Sequence, residues 1–502
     1  MVGTLTDITL LQAEFARLVG PEHVLAPPDS GNGAKRGAMG AMGGEWSQYN
    51  RDATRSRGLS GSADLVVRPG STAEVAAVMA LCYERDVPLI PRGGGTGLAG
   101  GAVPLVWDGV GIGLGGGGVV CSLERMRAVR ELEPALWRML PEAGVPTRHV
   151  QRIARENGLC FPPDPGASEQ SQIGGNVATN AGGPHAFKYG VTGNWVTGLE
   201  AVVAPGETIA LGGSYRKDVA GYDLKSLLIG SEGTLGIVTA VRLRLMPAPE
   251  AALPLIAFHA TREQGCAAIL DVLGAGIVPA ALDFVDGEAL RMAAGAWAGG
   301  SGMPLPIDAE FMLLAEVDGT REEARAAHAE LAAVLGSSAL ELRRPDRAAL
   351  WEWRDRVPGA VSAMRGGKVS EDVVVPVERL AEALERFAEI AARHGLRSCA
   401  WGHGADGNVH ANLLVDPRNQ ADLAAAAAAT EELFTLAVEL GGSISGEHGV
   451  GWCKSGQLAK QWPEGALRLH EEIKRAFDPK GLLNPGKKLA RDPAVSERIA
   501  SG

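Results

Sequence analysis

Residues 87–104 read VPLIPRGGGTGLAGGAVP, and the reading of this stretch decides the reading of the rest of the chain. Val87 to Ile90 form a strand-like lead-in, and six of the fourteen residues from Pro91 to Pro104 are glycine. With no side chains between, backbone amides can close on a bulky anion, so the loop reads as a pyrophosphate cradle. Gly95, Gly97 and Gly100 match the spacing of a Rossmann dinucleotide site, which needs a helix to open directly after the glycines. Here Gly101 and Pro104 follow at once, and the next strand-like run, Val110 to Leu114, ends in glycines instead of an acid for a ribose hydroxyl. NAD on a Rossmann fold is therefore disfavoured. The loop has no G-K-[ST], which removes the P-loop reading. A flexible linker would be polar, whereas Leu89, Ile90, Leu98 and Val103 frame this one. A flavin dinucleotide is a guest that such amides could hold.

The chain has 502 residues, enough for two to four domains. Glycine supplies 68 of them, about twice the ordinary share, without collagen period or polar low complexity, which assigns the excess to turns and ligand loops. The net charge of −11 argues against nucleic acid as partner. No apolar run reaches the roughly 18 residues of a transmembrane span, and the N-terminus does not read as a signal peptide. A cytoplasmic protein, or one peripheral to the inner face of a membrane, is expected. Cys82, Cys121, Cys160, Cys266, Cys399 and Cys453 are scattered without C-x-x-C spacing and read as reduced thiols.

Along the chain, residues 7–20 carry an amphipathic helix pattern (Leu10, Leu11, Phe15, Leu18). Residues 29–45 read as a mobile loop, and the folded body is expected from Trp46. Asp64 to Arg68 reads as a strand and Ser71 to Glu74 as a capping box that starts a helix, so the glycine loop sits at the carboxyl end of a strand in a β-α-β unit. A second glycine-dense block, FPPDPGASEQSQIGGNVATNAGG, spans Phe161 to Gly183, and a third, YDLKSLLIGSEGTLGIVTAVRL, spans Tyr222 to Leu243. Small side chains in such blocks let a flat ring lie against backbone.

Taken in order, these three blocks resemble the FAD-binding domain of the vanillyl-alcohol-oxidase/PCMH flavoprotein superfamily, in its branch of D-2-hydroxyacid dehydrogenases and glycolate oxidase D-type subunits. The likeness runs over residues 46–490. It implies an α+β architecture: a PCMH-type two-subdomain FAD-binding domain over residues 46–249 and an α/β ferredoxin-like cap over 250–465. A C-terminal segment, 466–502, would return to the flavin, with 1–45 as an N-terminal helix and loop. The resemblance implies that the FAD pyrophosphate meets the first loop at Arg92, Gly93, Gly94, Gly95, Thr96 and Gly97. It carries over as further cofactor positions Pro163, Asp164, Gly175, Asn176, Thr179, Asn180, Gly182, Glu232, Gly236, Ile237 and, in the tail FDPKGLLNPGK, Asn484. Some relatives attach flavin through a histidine in the first loop; none is present here, so FAD should be non-covalent. The run Val110 to Gly118 is a departure that reads as an enlarged edge loop.

From residue 250 the alternation of strand and helix patterns predicts a second α/β domain with a mixed sheet. His403 and His410 bracket a turn, GADGN, that lets two imidazoles converge, and Gly446-Glu447-His448-Gly449 adds an acid beside a third. Two His and a Glu make a donor set suited to zinc or manganese, the alternative being turn histidines bonded to backbone. The resemblance implies that His403, His410 and Glu447 ligate a metal and that His448 is the base. Arg354 is the candidate clamp for a substrate carboxylate, against the alternative of a solvated helix residue. Asn412 is a further catalytic candidate. Lys368 and Asp372, in KVSEDVVVP, fall in a neighbouring motif with the role of Lys368 open. The expectation is oxidation of a small D-2-hydroxy acid (lactate, glycolate or 2-hydroxyglutarate type), with the hydride passing to flavin N5. Electrons would go on to a quinone, a cytochrome or an electron-transfer flavoprotein, and a homodimer is among the expected assemblies. The alternatives are a non-catalytic FAD-binding subunit of a glycolate-oxidase-like complex and a flavin-free metallohydrolase.

Overall fold

The first sheet grows from the glycine-rich stretch. Strands β1 (Val24–Leu25), β2 (Leu65–Val67), β3 (Leu89–Arg92) and β4 (Val119–Ser122) lie in the order β1-β2-β4-β3, the last three parallel. The computed structural model describes residues 8–27, 45–106, 117–297 and 303–490; the expected loop at 29–45, apart from Glu45, and most of the Val110–Gly118 run fall outside them. The helix Thr72–Glu84 crosses from β2 to β3. It begins where Ser71 Oγ accepts the Glu74 N–H at 3.2 Å, while the Glu74 carboxylate accepts the Gly70 amide at 2.8 Å, a close variant of the predicted box. After β3 the next α-helix among the described residues is Thr147–Glu156, so the cradle opens without the helix a Rossmann site requires.

One boundary needs correction. The helix Ile8–Val19 buries Leu11, Phe15 and Val19 in the same core as β2, β3 and β4, so the folded body begins with this helix and not near Trp46. Its apolar residues recur every four positions, and such a stripe seeks a core.

The second subdomain is an antiparallel sheet of β5 (Val129–Glu133), β6 (Arg138–Pro141), β8 (Val196–Val203), β9 (Glu207–Gly212) and β10 (Ile237–Arg244), in the order β5-β6-β10-β8-β9. Short strands β7 (Leu159–Cys160) and β11 (Met246–Pro247) pair beside it. The two subdomains keep separate cores, one around Val75 and Met79, the other around Val150 and Trp195.

The cap holds seven strands: β12 (Ala251–His259), β13 (Ala281–Asp286), β14 (Phe311–Gly319), β15 (Glu341–Arg343), β16 (Gly367–Val374), β17 (Ser398–His403) and β18 (Asn408–Val415). Their order is β15-β12-β14-β13-β17-β18-β16, antiparallel throughout where a mixed sheet was expected. The reason is topological. Each crossover helix, Arg262–Gly274 from β12 to β13 and Leu380–Arg393 from β16 to β17, leaves room for one strand between the two it joins. β14 and β18 fill those gaps in the opposite sense, giving two split β-α-β units side by side. Four helices (262–274, 321–336, 380–393 and 420–439) bury one face of this sheet. On the other face the helices Gly287–Ala293 and Arg347–Ala363 cover only part, packing Leu290, Trp353 and Val357 over Phe258 and Leu314. The remaining strip is polar and turns toward the second subdomain, from which His185 reaches Glu316 at 3.1 Å and Lys188 reaches Asp318 O at 3.1 Å. The chain then returns: beyond the helix Glu464–Phe477, Leu482 to Asn484 run along β3, with Leu89 N donating to Leu482 O at 2.8 Å and Asn484 N donating to Leu89 O at 2.9 Å.

Candidate active site

The cradle is assembled from backbone. A Cβ added to Gly94 would fall on the Gln170 carbonyl, and one on Gly93 would lie 3.5 Å from Gly175 Cα, so the first glycine block is seated against the second. Asn484 Nδ2 donates to Gly101 O at 2.9 Å and to Glu232 O at 2.8 Å, stitching the first block to the third. Two buried oxygens bordering the loop, Asp52 Oδ2 and Gln172 Oε1, have no hydrogen-bond partner among the described residues. Such orphans are costly, and a guest bearing hydroxyl or N–H donors would satisfy them, which fits a flavin dinucleotide.

Most side chains named as cofactor contacts are engaged with protein. Arg92 turns back to donate to Arg51 O at 2.8 Å and Gln48 O at 3.2 Å. Asp164 holds His185 at 2.6 Å, Asn176 donates to Thr147 Oγ1 at 2.6 Å, and Thr179 donates to Gly175 O at 3.1 Å. Asn180 accepts Gly193 N at 2.8 Å, Pro163 O accepts Gln151 Nε2 at 2.8 Å, and the Glu232 carboxylate takes Val450 N at 2.9 Å and Gly451 N at 2.6 Å. These residues brace the three glycine-rich blocks against the surrounding protein.

The second cluster is made of side chains, and antiparallel register assembles it. Asp283 lies opposite His403, His403 opposite Asn408, Trp401 opposite His410, and His410 opposite Asp372. Opposed residues share a face, and so do residues two apart on a strand, so all of these fall on the polar strip. The hairpin between β17 and β18, a single 3₁₀ turn closed by Gly407 at φ 67°, is what turns a seven-residue spacing into convergence.

His403 Nε2 and His410 Nε2 stand 3.5 Å and 3.4 Å from Glu447 Oε1. Tetrahedral ligands at ordinary zinc distances are about 3.4 Å apart, so this N, N, O set has the size of a metal site. His403 Nδ1 is held by Asp283 Oδ1 at 2.7 Å, the outer carboxylate that fixes a ligating imidazole. Asp283 Oδ2 in turn takes Arg354 Nε at 2.8 Å. A second grouping, Asp372 with His410 and His448, lies within the same reach, but its carboxylate is the more committed to protein: Oδ2 lies within 3.0 Å of four donors and Oδ1 accepts Asn408 Nδ2 at 2.6 Å. A Cβ on Gly182 would come within 2.6 Å of Glu447 Oε2, so the cluster abuts the second glycine block.

The electrostatics separate the three imidazoles. Burial works against charge on His403, but Asp283 and Glu447 outweigh it and raise its pKa well above the usual value. At His410 burial, reinforced by His448 and His403, drives the pKa well down. Burial also lowers His448, with Lys454 and Lys368 adding to it against Asp372 and Glu447. A neutral His448 can accept a proton.

Arg354 is buried at 7% exposure, which rules out the solvated-helix alternative. Asn412 is fully buried: Nδ2 donates to His410 O at 2.6 Å and Oδ1 accepts Lys368 Nζ at 2.8 Å, so it positions Lys368. Lys368 also sits 4.9 Å over the Trp401 ring, and its pKa is pushed down to about 8, chiefly by burial. Beside it a cleft of about 300 Å³, lined by Ala53, Arg57, Leu98, Pro358, Ser362 and Lys368, opens between the cradle side and the cap. Sequence reasoning missed Asp283 and Lys454. An acid inside the apolar strand ALDFVD was the available signal for the first; for Lys454, whose Nζ donates to Asp372 O at 2.7 Å, there was none.

The family model for the FAD binding domain matches residues 63–212, and that for the C-terminal domain of FAD linked oxidases matches residues 248–488. Together with the fold, these define an FAD-linked hydroxyacid oxidoreductase. The chain belongs to the FAD-linked oxidase family that includes glycolate oxidase D subunits and D-lactate dehydrogenases. It is 35% identical over 458 residues to glycolate oxidase subunit GlcD of Bacillus subtilis, covering 90% of this chain and 94% of that one. It is 35% identical to D-lactate dehydrogenase of Archaeoglobus fulgidus (84% and 90% covered) and 33% identical to mitochondrial D-2-hydroxyglutarate dehydrogenase of Rattus norvegicus (86% and 79%). Among solved structures, p-cresol methylhydroxylase with substrate bound superposes with a TM-score of 0.78 at 17% identity, covering 97% of this chain and 98% of that one, a likeness of fold. The flavin-free hydrolase alternative does not survive these matches. Among the described residues no helix is long and apolar enough to cross a membrane.

Proposed function

We propose that this chain oxidises a small D-2-hydroxy acid to the 2-oxo acid, using non-covalent FAD and a divalent metal held by His403, His410 and Glu447. The observation that carries the reading is the adjacency of a metal-sized donor set, a neutral imidazole and the second glycine block. When bound, FAD supplies the acceptor for the Cα hydride, and the divalent ion supplies Lewis acidity toward the hydroxyl and carboxylate. His448 takes the hydroxyl proton on Nε2, the nitrogen 3.8 Å from Glu447 Oε1. Arg354, whose Nε is committed to Asp283, grips carboxylate through its Nη groups, and Lys368, held by Asn412, adds a second cation in the cleft. The presence of Glu447 and His448 argues against the reading as a non-catalytic subunit. Anaerobic mixing with a panel of D- and L-2-hydroxy acids should bleach the flavin with one D-acid class and leave 2-oxo acid in equal amount. Flavin untouched by every acid would overturn the reading.

A further inference from the structure

Asp372 takes no part in the chemistry proposed above, yet it is fully buried and accepts more hydrogen bonds than any other carboxylate at the site. Its Oδ2 accepts Ser445 Oγ at 2.9 Å, Gly446 N at 2.8 Å, Glu447 N at 3.0 Å and His448 N at 3.0 Å. Its Oδ1 accepts Asn408 Nδ2 at 2.6 Å, and Lys454 Nζ stands 3.6 Å from Oδ2. Three successive amides thus point at one oxygen, the concave arrangement in which backbone binds an anion. The anion here is the protein's own. Glu447 and His448 sit on a short segment between glycines whose flanks are tied down elsewhere, Ser443 N to Val374 O at 2.8 Å and Val450 N to Glu232 at 2.9 Å, while the amides of 446–448 themselves are held by Asp372.

We infer that Asp372 is a positioning residue: its carboxylate is the template on which residues 445–448 are folded, and so it sets where Glu447 and His448 stand. This rests on the metal site proposed above. Asp283 does the same for His403 from the other side of the cluster, but by orienting one ring, whereas Asp372 shapes a backbone segment and thereby two side chains.

The test uses FAD-loaded, metal-stripped full-length protein titrated with Zn²⁺ or Mn²⁺. Asp372→Ala should weaken metal binding by roughly the 10–100-fold typical of an outer-shell loss, with the flavin spectrum retained. At saturating metal its kcat should fall while KM changes little, because His448 is displaced too. Asp372→Asn should recover part of both losses: its oxygen can receive the donors that Oδ2 receives, but its amide faces Asn408 Nδ2, which cannot turn over without setting Asn408 Oδ1 against Val373 O, the carbonyl that Nδ2 now meets at 3.0 Å. Ser445→Ala removes a hydroxyl that stands 2.9 Å from Asp372 Oδ2 and 3.0 Å from Gly449 O while keeping the carboxylate's charge, and should weaken metal binding several-fold; it carries the test together with Asp372→Asn if the alanine variant does not fold. Wild-type metal affinity in Asp372→Ala or in Ser445→Ala, or an Asp372→Asn as weak as the alanine variant, would overturn the inference. A hydroxy acid that fails to bleach wild-type flavin while the metal affinities follow this order would sink the proposed reaction and leave the positioning role standing.

Discussion

The cradle and the cap cluster are built by opposite means. The cradle is a surface from which side chains have been withdrawn so that amides can approach, and the side chains around it bond to protein. The cap cluster is a convergence of side chains from β13, β16, β17, β18 and the 445–448 segment, each needed for a particular atom. One site should therefore be broken by adding atoms, and the other by removing them.

The largest effect expected is at Gly94. Gly94→Val puts a branched side chain where the Gln170 carbonyl already lies, so the variant should purify colourless, while wild type is yellow and releases all its flavin on acid precipitation. Yellow Gly94→Val protein would show that the first two blocks are not seated as described. Next is a removal. His448→Ala should keep FAD and metal and lose flavin reduction by about 10²–10⁴-fold, the range for a lost general base, as read by stopped-flow bleaching. A near-normal rate would take the base role from His448.

The smallest effect concerns the seam between the two regions. His185, on the cradle side, binds Asp164 at 2.6 Å and reaches Glu316 of β14 at 3.1 Å, and Glu316 also takes Arg347 Nε at 2.6 Å and Trp351 Nε1 at 2.8 Å. Burial opposes charge on His185, but Asp164 and Glu316 prevail and raise its pKa to about 10. A raised histidine pKa contributes stability that is complete below its unfolded value of about 6.5 and is lost as pH climbs through the folded one. Thermal melts should therefore show wild type losing Tm between pH 7 and 10, and His185→Gln responding less over that window. Parallel curves would mean that the seam does not depend on this proton.

How much was legible follows the same division. Gly93 to Gly97 and Ser71 to Glu74 are local signals, since a missing side chain or a capping hydroxyl acts within a few residues: the glycines do form a loop after β3 packed backbone against backbone, and Ser71 does cap the helix. His403 and His410 were read because a turn lies between them. The pair Asp283 and His403 is separated by 120 residues and exists only through the register of β13 on β17, which no local pattern encodes. Asn412 and Arg354 were legible as polar residues near the site, but their engagement with Lys368 and Asp283 follows from burial, and the antiparallel cap sheet follows from strands inserted after the crossovers had left space for them.

The most direct test is single-turnover flavin bleaching by the best D-2-hydroxy acid in three preparations of one FAD-loaded sample: as purified, chelator-treated, and resupplied with stoichiometric Zn²⁺ or Mn²⁺. The expected result is full bleaching in the first, an intact flavin spectrum without bleaching in the second, and recovery in the third that is absent in His410→Ala. Undiminished bleaching in protein shown by metal analysis to be ion-free would contradict the assignment of His403, His410 and Glu447.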